Sequence, residues 1–305
     1  MRLTLAAVAF CSFALPATAH AFCRTTTQPL PASYHPSRGC YTEGLLLFWR
    51  NACVSYSIND AASRSISYEE AQRVIDDAFA AWVNVTCANG YPVGIAASNI
   101  GSVACGEVKY NQDSANQNLI VFRDDGWPYS DPNSTLGLTT VTFNAETGEI
   151  YDADMEINTS ARNLSTSDRV PANGFDLASV VTHEVGHFFG LAHATNPRAT
   201  MYASYKPGST ALRDLDDDDI DGICSIYPDG ATRIVSPEVS ADEVVTADAC
   251  DPNPRFGFTG ECASPKKKEN CSATPQPSVS WGASSTVAMA VTGLLVARRR
   301  RSRAR

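Results

Sequence analysis

The sequence predicts an α+β fold, α/β-like in its order of elements, with the structured domain at residues 47–228. Three observations predict it. Five short runs between residues 54 and 157 read as strands, several with the two-residue alternation of a half-buried strand. A helix-start signal at Ser67 is followed by apolar residues at helical spacing. Two further helical stretches follow the last strand, at about residues 177–189 and 217–227. A stretch of this length can bury one sizeable core, and no internal repeat divides it.

Val54 to Ile58 alternates as the first strand. Ser67-Tyr68-Glu69-Glu70 is a capping box, and Ala71, Val74, Ile75, Ala78, Phe79, Trp82 and Val83 then mark one face of a scaffold helix. The next strand-like runs are Val93 to Ala96, Asn118 to Phe122, Leu136 to Phe143 and Glu149 to Ile157. Alternation in the last run puts Asp152, Asp154 and Glu156 on one face, where they either hold a calcium ion through hard oxygen ligands or form a solvated acidic face. Asp176 caps the following helix, Leu177 to Phe189. Asp217 to Gly222 fits D-x-D-x-D-G, but the twelfth position of that calcium loop is Pro228 where a bidentate Glu is needed. A third helix is the better reading. Ile220, Ile223, Cys224 and Tyr227 keep its spacing, and the acids crowd its positive N-terminus.

The chemistry sits in the second helix, in His183-Glu184-Val185-Gly186-His187-Phe188-Phe189-Gly190-Leu191-Ala192-His193, an H-E-x-x-H-x-x-G-x-x-H motif. His183 and His187 are four residues apart and share a helix face, so both rings can reach one metal ion. Glu184 lies beside them, where it can take a proton from a water. Gly190 can adopt the positive-φ turn that ends a helix, and the chain then folds back to deliver His193 as a third nitrogen. Three neutral imidazoles with one open position describe a catalytic zinc site, not a structural one. The chain has five His, and three of the four outside the first 21 residues fall in this motif, which disfavours a surface helix that merely carries histidines.

This motif resembles that of the metzincin zinc peptidases, whose next hallmark is a Met-containing turn. Met201 follows His193 in Ala199-Thr200-Met201-Tyr202-Ala203-Ser204-Tyr205. Astacin-like and serralysin-like members carry a Tyr two residues after that Met, where this chain has Ala203. Tyr205, four residues after Met201, matches the matrixin pattern instead. The resemblance runs from about Trp49 to Tyr227. It implies a twisted, mostly parallel five-stranded sheet with two long helices, and a small C-terminal subdomain with one helix. It also implies a zinc-dependent endopeptidase acting on proteins or peptides, with Glu184 as general base and Met201 packed beneath the ligands without binding zinc. The substrate is expected as an added strand along Leu136 to Thr140. A monomer is expected. Two features depart from the vertebrate matrixins. Outside the motif only His35 is available for a second, structural zinc, and no P-R-C-G-x-P-D element is present. Cys40, in Ser37-Arg38-Gly39-Cys40, reads as a disulfide partner. The competing class is a catalytically silent surface adhesion or binding protein on the same fold, against which the intact Glu184 argues.

Residues 1–21 read as a secretory signal, with Arg2, an apolar run from Leu3 to Leu15 too short to span a bilayer, and the cleavage site Ala19-His20-Ala21. The nine Cys after it imply disulfides in an exported protein, with Cys87–Cys105 and Cys250–Cys262 suggested by proximity. Residues 22–46 are a Thr/Pro/Ser-rich lead-in, and 229–280 read as a disordered linker with a small disulfide loop. At 281–305 an apolar run precedes six arginines. This resembles the MYXO-CTERM sorting tail of myxobacterial exported proteins, for which Cys271 is the matching Cys, and it implies transient membrane contact with the enzyme outside the cell. The formal net charge of the whole chain is −9. Arg2 and the six tail arginines lie in segments without acids, so the rest carries 17 cations against 33 acids, a balance of −16. Such a surface repels phosphate backbones, which argues against nucleic acid as a partner.

Overall fold

The computed structural model describes residues 22–229, 233 and 250–260. The secretory signal, most of the linker, Cys262, Cys271 and the tail at 281–305 lie outside the described residues. In chain order the elements are β1 (Cys23–Arg24), β2 (Phe48–Trp49), β3 (Cys53–Asn59), α1 (Tyr68–Val83), β4 (Ala96–Val103), β5 (Leu119–Phe122), β6 (Gly137–Phe143), β7 (Glu149–Ile157), β8 (Leu164–Ser165), β9 (Phe175–Asp176), α2 (Leu177–Phe188), β10 (Leu191–Ala192) and α3 (Asp217–Ile226). No helix among them is long and apolar enough to cross a membrane.

The main sheet runs β4–β3–β5–β7–β6. Its inner pairings are parallel, and β6 lies antiparallel to β7 at the edge. Four of the expected runs form as β3, β5, β6 and β7, β4 lies downstream of the remaining one, and the two-residue β2 adds a sixth strand, pairing Glu149 and Ile150 at the start of β7. β5 reads Leu-Ile-Val-Phe with every residue buried, the continuous apolar run of a central parallel strand.

Local signals place both long helices. Ser67 accepts from the Glu70 amide and Glu70 reaches back to the Ser67 amide, so both halves of the capping box form. The α1 face named by periodicity is buried from Ala71 to Trp82. It packs on α2, where Trp82 Nε1 donates to the Thr182 carbonyl over 2.8 Å. Phe79 bridges the layers, stacking on Tyr56 of β3 with centroids 3.8 Å apart and meeting Phe188 of α2 edge-on at 5.1 Å. The third helix forms as read, with Asp216 and Asp219 completing a capping box at its start.

One strand lies elsewhere than its pattern suggests. Val93 and Ile95 are buried, yet β4 begins only at Ala96. Pro92 has no amide to donate. The Gly94 amide donates to the Tyr227 carbonyl over 2.7 Å, and a Cβ at Gly94 would stand 2.4 Å from the Pro228 carbonyl oxygen. The apolar run therefore docks on the chain after α3 instead of joining the sheet.

The disulfides correct both pairings suggested by proximity. The bonds are Cys23–Cys40, Cys53–Cys250 and Cys87–Cys224, and Cys105 is also disulfide-bonded. Cys87 lies just beyond α1, and packing brings α3 against it at a Cα separation of 5.8 Å, although 137 residues intervene. Sequence distance carries no information about such a contact. Within the stretch read as linker, Cys250 is tied to β3, and Arg233 is buried with its guanidinium donating to the Trp49, Asn51 and Gly94 carbonyls. Asn116 and Phe258 form a parallel bridge, so residues 250–260 also lie along the domain.

Candidate active site

α2 starts where the Asp176 carboxylate accepts from the Ser179 amide and hydroxyl. Arg213 grips the same carboxylate through Nε at 2.8 Å and Nη2 at 2.7 Å. It comes from the loop after Tyr205, so that loop is tethered to the head of α2. His183 and His187 then fall on one buried face, as the four-residue spacing requires. Gly190 takes φ +94° after the helix, and its Cβ position would crowd the Leu47 carbonyl at 3.0 Å. The turn leads through β10 to His193.

The three rings converge. One ligand nitrogen from each of His183, His187 and His193 lies within 4.8 Å of the others, and among the described residues this is the one such group of three or more His, Cys, Asp or Glu. The orientation of two rings is fixed from behind. His183 Nδ1 lies 2.6 Å from the Thr200 carbonyl, and His187 Nδ1 lies 2.8 Å from the Leu191 carbonyl. A carbonyl only accepts, so each Nδ1 carries the proton and each Nε2 presents a lone pair. The two Nε2 atoms are 3.1 Å apart. His193 Nε2 is buried without a hydrogen-bond partner, an unpaired acceptor that needs a cation or donor. Burial lowers all three imidazoles, His183 to about 4, His187 to about 3 and His193 well below its ordinary value, so all are neutral near pH 7. Neutral rings with converging lone pairs fit a zinc ion.

Glu184 follows His183 and turns towards the sheet edge. Thr139 of β6 donates its hydroxyl to Glu184 Oε2 over 2.8 Å. A Cβ at Gly137 would come within 2.8 Å of Oε1, so glycine at that strand position makes room for the carboxylate. Burial pushes the Glu184 carboxyl up to about 7, against the lowering effect of the Thr139 bonds. A buried carboxylate under an edge strand, next in the chain to His183, can accept and return a proton.

Met201 is buried and packs against α2. A Cβ at Gly186 would stand 2.1 Å from its Sδ, so the helix glycine and the methionine fit against each other. Sequence reasoning missed what holds this turn. Asp219 of α3 accepts the amides of Thr200 at 2.7 Å, Met201 at 3.0 Å and Asp216 at 2.9 Å. Since the Thr200 carbonyl fixes His183, α3 orients a zinc-type ligand through one buried carboxylate. The acids at the helix start were visible, but they were read only as crowding its positive N-terminus. Asp219→Ala should lower zinc affinity by about 10–100-fold, the usual scale for losing support behind a ligand. Competition with a chromophoric chelator measures this, and unchanged affinity would contradict the role.

The acidic residues of β7 lie apart from the imidazoles and are not a solvated face. Asp152, Asp154 and Glu156 are all buried. Asp154 accepts the Leu119 amide at 2.8 Å, while Glu156 is engaged by Arg123 Nε and the Tyr129 hydroxyl. Burial and the neighbouring Asp154 raise Asp152, and burial brings Asp154 up to about 7.

A family model described as Matrixin matches residues 48–228. Human neutrophil collagenase is 28% identical over 211 residues, covering 68% of this chain and 38% of that protein. Metalloendoproteinase 1-MMP of Arabidopsis thaliana is 33% identical over 121 residues, covering 39% of this chain and 31% of its own length. Metalloendoproteinase 1 of Glycine max is 36% identical over 103 residues, covering 34% of this chain and 32% of its own. The chain thus spans about a third of the length of these curated relatives.

Proposed function

The chain belongs to the matrixin family, and from that premise we propose that it is a secreted zinc endopeptidase. The observation that carries the reading is the convergence of three neutral, buried imidazoles, two of them on the helix that also carries the buried Glu184. His183, His187 and His193 would hold the zinc, which when bound would polarise the scissile carbonyl and acidify a water towards ~7. Glu184 accepts the proton of the attacking water and returns it to the leaving amine. Thr139 holds the carboxylate in place for both transfers. The edge of β6 aligns the substrate backbone as an added strand, and protein or peptide chains are therefore the substrates. Hydrolysis of casein or gelatin that a chelator abolishes and zinc restores would support this reading. Binding of such proteins without cleavage, in a zinc-loaded sample, would favour the silent adhesion class.

Export belongs to the same reading. It rests on the signal-like residues 1–21 and on the disulfides, which form in oxidising compartments. Residues 281–305 would serve as a transient membrane and sorting anchor for a monomeric enzyme, motivated by the apolar run before six arginines. Truncation after Ser280 should move the protein from the envelope to the medium of its native host, and unchanged fractionation would sink the anchor. Calcium is a further part of the reading. Asp152 Oδ1 is buried without a partner beside Asp154, whereas Glu156 is already engaged by Arg123. Calcium at ~1 mM, the range of extracellular sites, should raise the unfolding temperature. The rise should vanish in Asp152→Asn, and its absence in wild type would remove calcium from the account.

A further inference from the structure

We propose that the disulfide-closed segment from Thr25 to Tyr41 forms one wall of the substrate cleft and selects a large apolar side chain on one side of the scissile bond. The inference rests on the peptidase reading above and adds a determinant from outside the family match, which begins at residue 48.

The base of this segment is locked to the turn that carries the third histidine. β1 pairs antiparallel with β10, the strand just before His193. Thr25 donates its amide to the Gly190 carbonyl and its hydroxyl to the Leu191 carbonyl, both over 2.9 Å. The Thr27 amide donates to the Leu45 carbonyl over 2.8 Å, which closes the far side of the base. The Cys23–Cys40 bond then draws the ends of the loop together, with Cα atoms 5.2 Å apart. A loop fixed in this way keeps its place relative to the imidazoles.

Between this loop and β6 lies a cavity of about 220 Å3. His187 and His193 are in its lining, so it is continuous with the candidate active site. Val141 and Phe143 line it from β6, and Leu30, Tyr34 and Tyr41 from the loop. Tyr34 and Tyr41 meet edge-on with centroids 6.0 Å apart, and the Tyr34 hydroxyl is occupied by the Gly39 carbonyl. Leu30 is 48% exposed, so part of its apolar surface is open to a side chain entering the cavity. The one fully charged side chain in the lining, Arg24, already donates to the Leu47 carbonyl. The chemistry that fits is a branched aliphatic or aromatic side chain.

Position follows from the strand. β6 begins at Gly137, against Glu184, and ends at Phe143, in the cavity wall. A substrate strand added along β6 places its scissile bond near Glu184 and sends alternate side chains towards the wall further along. The selected residue therefore lies to one side of the cleaved bond, not at it.

Cleavage of a peptide library by the full chain, compared for wild type, Leu30→Ala and Leu30→Lys, tests this. Leu30 is exposed, so both variants should fold and hold zinc as wild type does. Wild type should prefer large apolar residues at one position on a single side of the scissile bond. Leu30→Ala should weaken that preference by about 10-fold, the scale of a trimmed hydrophobic pocket, and Leu30→Lys should turn it towards acidic residues, with the other side unchanged. Identical profiles in all three proteins, or changes on both sides alike, would overturn the proposal. If wild type cleaves nothing, the peptidase reading fails first. Binding of fluorescent apolar and acidic peptides to the metal-free proteins then still decides the pocket. Equal affinities across the three proteins overturn it, and a Leu30→Lys switch towards the acidic peptide supports it.

Discussion

Glu184→Gln should lower kcat by roughly 10²-fold or more, the usual scale for losing a general base, while zinc content stays near that of wild type. The amide keeps the size of the carboxylate, and Thr139 can still donate to its oxygen as it does to Glu184 Oε2. The three imidazoles and the carbonyls behind His183 and His187 are untouched. What disappears is the site that receives the proton from water and passes it to the leaving amine. Single-turnover hydrolysis of a fluorogenic peptide, with metal measured on the same sample, checks the outcome. Retention of most of the activity would place the proton acceptor elsewhere.

His187→Ala should behave differently, because it removes a ligand and not a proton acceptor. Two imidazoles remain, and the Leu191 carbonyl of β10 keeps the Thr25 hydroxyl as its donor when the His187 ring is gone. Zinc binding should collapse with activity, and stability should fall through the lost metal. The unfolding temperature of wild type should rise with added zinc, whereas that of His187→Ala should not. A variant that kept full zinc content would mean that the metal is held by other residues. The pair of variants separates proton transfer from metal retention.

What was legible in the sequence was mostly local. The capping box at Ser67 and Glu70 and the cap at Asp176 act within four residues, and both appear in the fold as read. The histidine spacing is likewise a property of one helix and the turn after it, so the grouping of His183, His187 and His193 could be foreseen. The contacts that were missed join distant parts of the chain. Thr139 reaches Glu184 across 45 residues, and Cys87 reaches Cys224 across 137. Both depend on how β6 and α3 dock, which no window of sequence encodes. The acids of β7 were placed on one face correctly by alternation, but alternation does not say whether that face meets water. Here segments outside the strand cover it, and Arg123 and Tyr129 from before β6 take up Glu156. Asp219 shows a further limit, since the same residue caps α3 and anchors the turn at Thr200 and Met201. The first role is local and could be read, while the second is tertiary.

X-ray absorption at the zinc edge of the purified, zinc-loaded protein tests the central claim most directly. The account predicts a first shell of three imidazole nitrogens at about 2.0–2.1 Å and one further light atom, with no sulfur. A shell containing sulfur, one dominated by carboxylate oxygens, or a chain that takes up no zinc at all would contradict it.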